Sequence, residues 1–447
     1  MKVLTVGGGG REHAAVEALY KCGAEIYSVM KNTNPGIIRR SRGYKIIDEK
    51  DVRAICAYSR EIGADIAYIG PEAPLDVGLS DSLEEIGVLC AAPTKEAAKI
   101  ETSKLFMREL VDKYKIAGNI NYTSFRNVKD AVKYVKDVDY EVVVKPVGLT
   151  GGKGVKIQGE HLHSVDDAVR YVNEIFSTSI GKYGIIIEEK VIGEEFTQMA
   201  FCDGKRIEPM PLVQDHKRAY ENDTGPNTGG MGSYSDSNHL LPFVNEKDRD
   251  AALDIIRDVV NAMNKDCREY RGPIYGQFML TSEGPRIIEF NARFGDPEAM
   301  NVLPILESDF ADICYRMATG TLTQSVKFEK KASVCKYVVP EGYGIKPISE
   351  KEIFVDEEGI RSVNANVYYA NVNQKDGKLL TGTSRSLGIV GIADTIDEAE
   401  ESCENALKFV RGNHIFVRHD IGKKELIQKR IKHLQKLRLV QNEKSGN

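Results

Sequence analysis

The 447-residue chain has no Cys-x-x-Cys pair, no internal repeat and no apolar run of membrane-spanning length. Each absence removes a class of protein. A membrane helix needs about 20 consecutive apolar residues, so no membrane partner is expected. The eight cysteines (Cys22, Cys56, Cys90, Cys202, Cys267, Cys314, Cys335, Cys403) are scattered, several in apolar runs such as Val88-Leu-Cys90. Free thiols in a reducing cytosol are the expected state. No strong charge excess exists either. The formal net charge is −5, which argues against a general nucleic-acid binder and leaves anionic ligands to local cationic pockets. Met1-Lys-Val-Leu-Thr-Val6 enters a strand at once, so no signal peptide and a cytoplasmic location are expected.

What the chain does have is 42% hydrophobic residues, enough for several cored domains, about three by length. The first hundred residues alternate strand and helix patterns. Lys2 to Val6 is a strand, Gly7-Gly-Gly-Gly10 a turn, and Arg11 onward a helix; Glu25 to Met30 and Ile66 to Ile69 are further strands. That alternation predicts an open parallel sheet with ligands at its carboxyl edge. The glycine turn fits only part of a dinucleotide fingerprint, because Glu12 stands where the third glycine would fall and Lys31-Asn32 follow the second strand in place of an acid. The turn still offers backbone N–H groups and a helix N-terminus to a phosphate, reinforced by Arg11; a tight turn that merely needs glycine is the alternative.

From Glu101 the pattern changes. A helix starts near Ser103, and Glu141-Val-Val-Val-Lys-Pro146 reads as a buried strand carrying Lys145. Leu149-Thr-Gly-Gly-Lys-Gly-Val155 reads as a hairpin tip. A lysine beside a glycine flap suggests a lid over phosphates, although a snorkelling strand-end lysine would look the same. Gln214 to Arg218 and Asp223 to Ser233 form a long polar segment, read as an active-site loop. A third region follows the bridge Thr321–Lys331, with strands at Ser333–Val339 and Asn364–Tyr369 and a helix at Ile396–Phe409. The basic end, Lys423 to Lys444, reads as a solvated surface helix with a frayed terminus.

The most informative stretch is Ile287-Ile-Glu-Phe-Asn-Ala-Arg-Phe-Gly-Asp-Pro-Glu298. Residues two apart on a strand share a face, so Glu289 and Asn291 project together at the strand end. Their hard oxygens suit Mg²⁺, and Arg293 can hold an anion in a bidentate fork. Gln277 lies on the apolar run Ile274–Leu280, which a short turn pairs with Arg286–Phe290 and so brings Gln277 near Glu289. A supplementary metal contact and a plain hydrogen bond to neighbouring backbone are both open readings for it.

Four stretches coincide: Gly8-Gly-Gly-Arg-Glu-His-Ala14, Gly70-Pro-Glu-Ala-Pro-Leu75, Gln214-Asp-His-Lys-Arg218 with Asp223-Thr-Gly-Pro-Asn-Thr-Gly-Gly-Met-Gly232, and Ile288 to Glu298. Together they resemble the glycinamide ribonucleotide synthetase (phosphoribosylamine–glycine ligase) family of ATP-grasp enzymes. The resemblance implies an α/β protein with an N-terminal parallel-sheet domain (1–101), an ATP-grasp body (102–325) whose small lobe (about 120–190) is mobile, and a C-terminal domain (326–447) ending in a basic helical tail. It implies ATP as co-substrate with Mg²⁺ or Mn²⁺, glycine and 5-phosphoribosylamine as substrates, and a glycyl phosphate intermediate. It further implies a monomer or weak homodimer.

Carried over by position, the resemblance makes Glu289 and Asn291 metal ligands, Lys104 and Lys145 phosphate lysines, and Gly151, Gly152, Lys153 and Gly154 the flap. Glu188, Glu189 and Val191 become the adenine hinge and Glu195 the ribose carboxylate. Asp215 and Arg293 hold the amine and carboxylate of glycine; Gly9, Gly10, Arg11 and Glu72 line the phosphoribosylamine pocket. Three departures stand out. Val147 replaces the acid usual in the flap segment, Gln277 a usual glycine, and Thr381-Gly-Thr-Ser-Arg-Ser386 the family's Gly-Gly-Arg segment. Val147 and the third-domain segment motivate a rival, an ATP-grasp ligase for a different amine. A non-catalytic ATP-binding regulator is opposed by the intact Lys104, Lys145, Glu289, Asn291 and Arg293.

Overall fold

The computed structural model describes residues 1–148, 154–323 and 325–445. Strand–helix alternation in the first hundred residues produces a five-stranded parallel sheet, ordered Ser41–Ile46, Glu25–Met30, Lys2–Val6, Ile66–Ile69 and Leu89–Cys90. The helix Gly10–Lys21 starts directly after the glycine turn. Glycine is required at Gly7, where φ is +119° and an added Cβ would lie 2.5 Å from Cγ of Glu12.

The central region has two lobes. In the smaller, an antiparallel sheet ordered Tyr122–Phe125, Ile185–Glu189, Val142–Pro146 and Lys156–Ile157 carries the helices Val128–Asp137 and Val165–Phe176. Val142, Val144, Ala168, Val172, Ile185 and Ile187 give this lobe a core of its own, separate from the others. A lobe with its own core can move as a unit. The larger lobe is an antiparallel sheet ordered Ile207–Pro209, Glu194–Asp203, Arg271–Thr281 and Gly284–Asn291. Its last two strands pair Gln277 with Glu289, the neighbourhood the short turn implied, and then Phe278 with Ile287. Ile288 is thus the extra residue of a bulge. The bulge turns carbonyls out of the ladder: Ile287 and Ile288 accept hydrogen bonds from Arg108 Nη2 at 2.9 and 3.3 Å.

Two expectations change. The polar segment after Gln214 is not free loop. It contains the short strands Gln214–Asp215, Arg218–Tyr220, Thr224–Asn227 and Gly232–Ser235. The Gly232–Ser235 strand pairs with Ala332–Pro340 and extends the C-terminal sheet through Leu387–Ala393 to Ala365–Tyr369. The segment is therefore stitched to the third domain. The C-terminal helix, Lys424–Ser445, is not a solvated surface element either. Ile427, Ile431 and Leu434 fall at i, i+4 and i+7, one helical face, and pack into the main core beside Tyr234, Leu241 and Phe243. Among the described residues no helix is long and apolar enough to cross a membrane.

Candidate active site

A cavity of about 870 Å³ opens where the three domains and both central lobes meet. Its lining includes Gly9, Arg11, Glu72, Lys104, Lys145, Glu195, Asp215, Glu289, Asn291 and Arg293. Residues 284 positions apart in sequence, Gly9 and Arg293, thus face one space.

At the lobe junction, Glu188 is fully buried between two cations, 2.8 Å from Arg108 Nε and 2.6 Å from Lys145 Nζ. Burial opposes ionisation, but Arg108 and Lys145 outweigh it and hold the carboxyl at about 2. The Glu188 side chain therefore orients Lys145 and is itself committed to the two cations. Among the described residues nothing accepts a hydrogen bond from the Val191 N–H. The Glu189 carboxylate is spent on Asn121, whose side-chain amide lies 2.6 Å away. Lys104 Nζ donates to the Gly148 carbonyl at 3.1 Å, and burial, with Lys145 nearby, lowers its pKa against the pull of Glu289.

Val147, where the family has an acid, is buried and anchored by backbone alone. Its N–H donates to Gly184 at 3.1 Å, and its carbonyl accepts from Lys104 N–H at 3.2 Å. Gly151, Gly152 and Lys153 lie outside the described residues. Gly154 lies inside them, its carbonyl accepting from the Tyr171 hydroxyl at 2.9 Å.

Glu289 and Asn291 occupy the end of the strand Gly284–Asn291. No group of three or more His, Cys, Asp or Glu able to hold a metal exists among the described residues. Two side chains that leave the rest of the shell to phosphates and water suit Mg²⁺, which keeps several waters and seldom occupies an all-protein cage. Gln277 is fully buried, and its amide oxygen accepts from the Thr197 hydroxyl at 3.0 Å and from the Tyr275 hydroxyl. Its amide nitrogen donates to Glu195 at 2.9 Å. In this arrangement the Gln277 amide bridges Thr197 and Tyr275 on one side and Glu195 on the other.

Arg293 is surrounded by acceptors: Glu101 at 2.9 Å, Glu72 at 3.5 Å and Asn291 Oδ1 at 3.2 Å. Burial pushes the Glu101 carboxyl up to about 7, opposed by Arg293 and by the Ala292 N–H that it accepts at 2.7 Å. Across the cavity, Asp215 has a buried carboxylate oxygen with no hydrogen-bond partner. Burial, opposed by Lys217 and aided by Glu298 and Glu195, raises it to about 7. A buried oxygen left unpaired is costly, so a cationic or hydrogen-bonding ligand is the natural partner. In the N-terminal domain, Glu12 uses groups expected to meet substrate. It accepts from Gly9 N–H at 2.8 Å and from Arg11 Nε at 2.6 Å, while Arg11 Nη1 donates to the Phe294 carbonyl at 3.1 Å. Gly10 is the first residue of its helix, and an added Cβ there would meet the Tyr337 hydroxyl at 2.4 Å.

Three participants escaped sequence reasoning. Lys217 Nζ lies 2.7 Å from Glu195, and Glu195, Asp215 and Glu289 keep it protonated against burial. Its signal was present, because it adjoins Asp215 in the Gln-Asp-His-Lys-Arg stretch. Arg385, from the divergent third-domain segment, reaches Asp296 at 2.9 Å and the Gly229 carbonyl. Asp223 gathers Arg418 at 3.0 Å, His216 at 3.2 Å and Arg430; no local pattern marks partners some 200 residues away.

Known proteins resemble this chain along its length. Residues 1–101 match the phosphoribosylglycinamide synthetase N domain, 102–299 its ATP-grasp (A) domain and 333–424 its C domain. The phosphoribosylamine–glycine ligase of Methanothermobacter thermautotrophicus is 51% identical over 439 residues, covering 98% of this chain and 100% of that protein. The one from Methanococcus maripaludis is 50% identical over 443 residues, with 98% and 100% covered. The crystal structure of phosphoribosylamine–glycine ligase from Thermotoga maritima has a TM-score of 0.81 at 27% identity, covering 94% of this chain and 100% of that one. A biotin carboxylase domain from Hydrogenobacter thermophilus reaches 0.74 at 16% identity over 97% of each chain, a likeness of fold alone. The chain belongs to the phosphoribosylglycinamide synthetase family of ATP-grasp proteins.

Proposed function

We propose that the cavity joins glycine to 5-phosphoribosylamine at the expense of ATP, giving glycinamide ribonucleotide, ADP and phosphate in the cytoplasm. The observation that carries the reading is the placement of cation Arg293 and unpaired carboxylate Asp215 in one cavity with Lys104, Lys145, Glu289 and Asn291. Glycine offers a carboxylate and an ammonium group, which Arg293 and Asp215 complement. ATP lies between the lobes, its ribose at Glu195 and its phosphates directed to Lys104 and Lys145. The glycine carboxylate attacks the γ-phosphorus and ADP leaves. The amine of phosphoribosylamine then attacks the glycyl carbonyl carbon and phosphate leaves.

Two anions meet in the first step, so catalysis is mainly positioning and charge neutralisation. Lys104, Lys145, Lys217 and Arg293 supply fixed positive charge around the path. A divalent cation held by Glu289 and Asn291 would add the neutralisation that the β- and γ-phosphates require. The small lobe, with its separate core, is suited to close and shield the acyl phosphate from water.

The test is ADP release with ATP and Mg²⁺ across a set of amines. Release that requires both glycine and phosphoribosylamine supports the reading. Release with another amine selects the rival ligase, and no release under any pairing removes catalysis.

A further inference from the structure

The family's C domain matches residues 333–424, and the helix Lys424–Ser445 begins where that match ends. Yet this helix sends a side chain to the cavity wall. Arg430 lines the cavity, with Nη1 3.1 Å from Glu194 and Nη2 on Asp223. The two carboxylates belong to different walls. Glu194 starts the large-lobe strand Glu194–Asp203, immediately before Glu195. Asp223 belongs to the segment stitched to the C-terminal domain, and it also binds His216 Nδ1 at 3.2 Å and Arg418 Nη1 at 3.0 Å. His216 lies between Asp215 and Lys217 in the chain, and Lys217 in turn reaches Glu195 at 2.7 Å. A closed circuit results: Arg430, Asp223, His216, Lys217, Glu195, Glu194 and back.

We infer that Arg430 is a positioning residue for ligation: the C-terminal helix uses it to fix the spacing between the nucleotide strand at Glu195 and the substrate segment at Asp215–Lys217. A guanidinium suits the task because its planar fork donates to two carboxylates at once, which an ammonium on a flexible stem does less well. The rest of the helix supplies the anchor. Ile427 and Leu434 are buried, and Arg438 holds Asp248 at 2.7 Å, with neither Arg438 nor Asp248 lining the cavity.

The inference rests on the ligase reading, and the two fail separately. Native protein that releases no ADP with glycine and phosphoribosylamine defeats that reading; the variants bear on Arg430 only once native activity is in hand. Arg430→Ala should lower kcat at least about tenfold and raise the KM of both ATP and glycine. Ethylguanidinium in the assay should restore part of kcat. Arg430→Lys, which keeps charge and stem, should remain at least about fivefold impaired because it cannot serve both carboxylates equally. Arg438→Met should lower the melting temperature yet leave kcat and KM within about twofold, separating anchoring from positioning. Kinetic constants of Arg430→Lys within about twofold of native would overturn the inference. So would equal activity losses in Arg430→Ala and Arg438→Met, or the absence of guanidinium rescue. If Arg430→Ala does not fold, Arg430→Lys against Arg438→Met decides the matter.

Discussion

Two buried charge centres face the same cavity and are built with opposite signs. At one, Arg293 is a cation held by Glu101, Glu72 and the Asn291 oxygen. At the other, Asp223 is a carboxylate bound by Arg418, Arg430 and His216, with Arg418 also on Asp420 and Arg430 also on Glu194. The balance of burial against partners decides the behaviour. At Arg293 burial outweighs the guanidinium, and the Glu101 carboxyl is pushed up to about 7. On the proposed function, that centre exchanges a partner for the incoming glycine carboxylate. Around Asp223 the cations and the His216 contact outweigh burial and hold the carboxyl far below its ordinary range. That centre is complete and works as a rivet between domains. On the proposed function, substrate chemistry belongs to the first and geometry to the second.

The comparison breaks most visibly at Arg293. Arg293→Met should lower kcat/KM by about a thousandfold, since the glycine carboxylate and the transferring phosphoryl group lose their fixed cation. It should also cost about 3–5 kcal/mol of stability, because the buried Glu101 carboxyl loses its cationic partner. Steady-state kinetics beside urea denaturation measure both losses. Turnover near native would remove Arg293 from the substrate centre.

Next in size is Glu289→Gln. Its size is unchanged and it lies at a strand end, so the fold should persist, whereas turnover should fall by about a hundredfold or more. Titration with Mg²⁺ shows whether the loss is one of metal affinity. Native rates at limiting Mg²⁺ would end the assignment. Glu195→Gln should do less. On the proposed placement the ribose contact is remote from the reacting phosphorus and acts mainly as uniform binding, so the KM for ATP should rise about tenfold with kcat changed less. A dominant fall in kcat would instead place the weight on the Lys217 contact.

The two centres also differ in how far the sequence revealed them. The Glu289-Phe-Asn291-Ala-Arg293 group was legible because strand alternation and one short turn place it, and even the register of Gln277 against Glu289 follows from turn length. The parallel N-terminal sheet was legible for the same local reason. The Asp223 rivet was not, because Arg418 and Arg430 lie 195 and 207 residues away. The C-terminal helix was misjudged because its many lysines obscured the Ile427, Ile431, Leu434 stripe that docks it. Gln277 was placed correctly, yet the direction of its amide depends on Thr197, Tyr275 and Glu195, which local pattern does not supply.

The smallest effect on turnover, and the sharpest test of the contrast, lies in pH dependence. Glu101 has its folded pKa raised from 4.5 to about 7. Between those values the folded protein holds a proton that the unfolded chain has released, so native stability falls as pH rises from about 4.5 to 7 and is level above. At about 1.4 kcal/mol per unit, the total is about 3 kcal/mol at most. Glu101→Gln resembles the protonated form and abolishes this slope. Its stability relative to native should therefore climb through that window, with turnover near pH 6 within about threefold of native because Glu101 is then mostly protonated. Asp223→Asn should behave in the opposite way. A depressed carboxyl contributes stability above its unfolded pKa and loses it only as pH falls through the folded value. Asp223 is ionised throughout the Glu101 window, so the penalty for its loss should be large and nearly flat from neutral to mildly alkaline pH, where burial keeps His216 neutral. Urea denaturation of both variants at several pH values measures the two slopes. A flat Glu101→Gln difference, or an Asp223→Asn penalty that fades between pH 7 and 9, would mean that the two centres are not the opposites their charges make them.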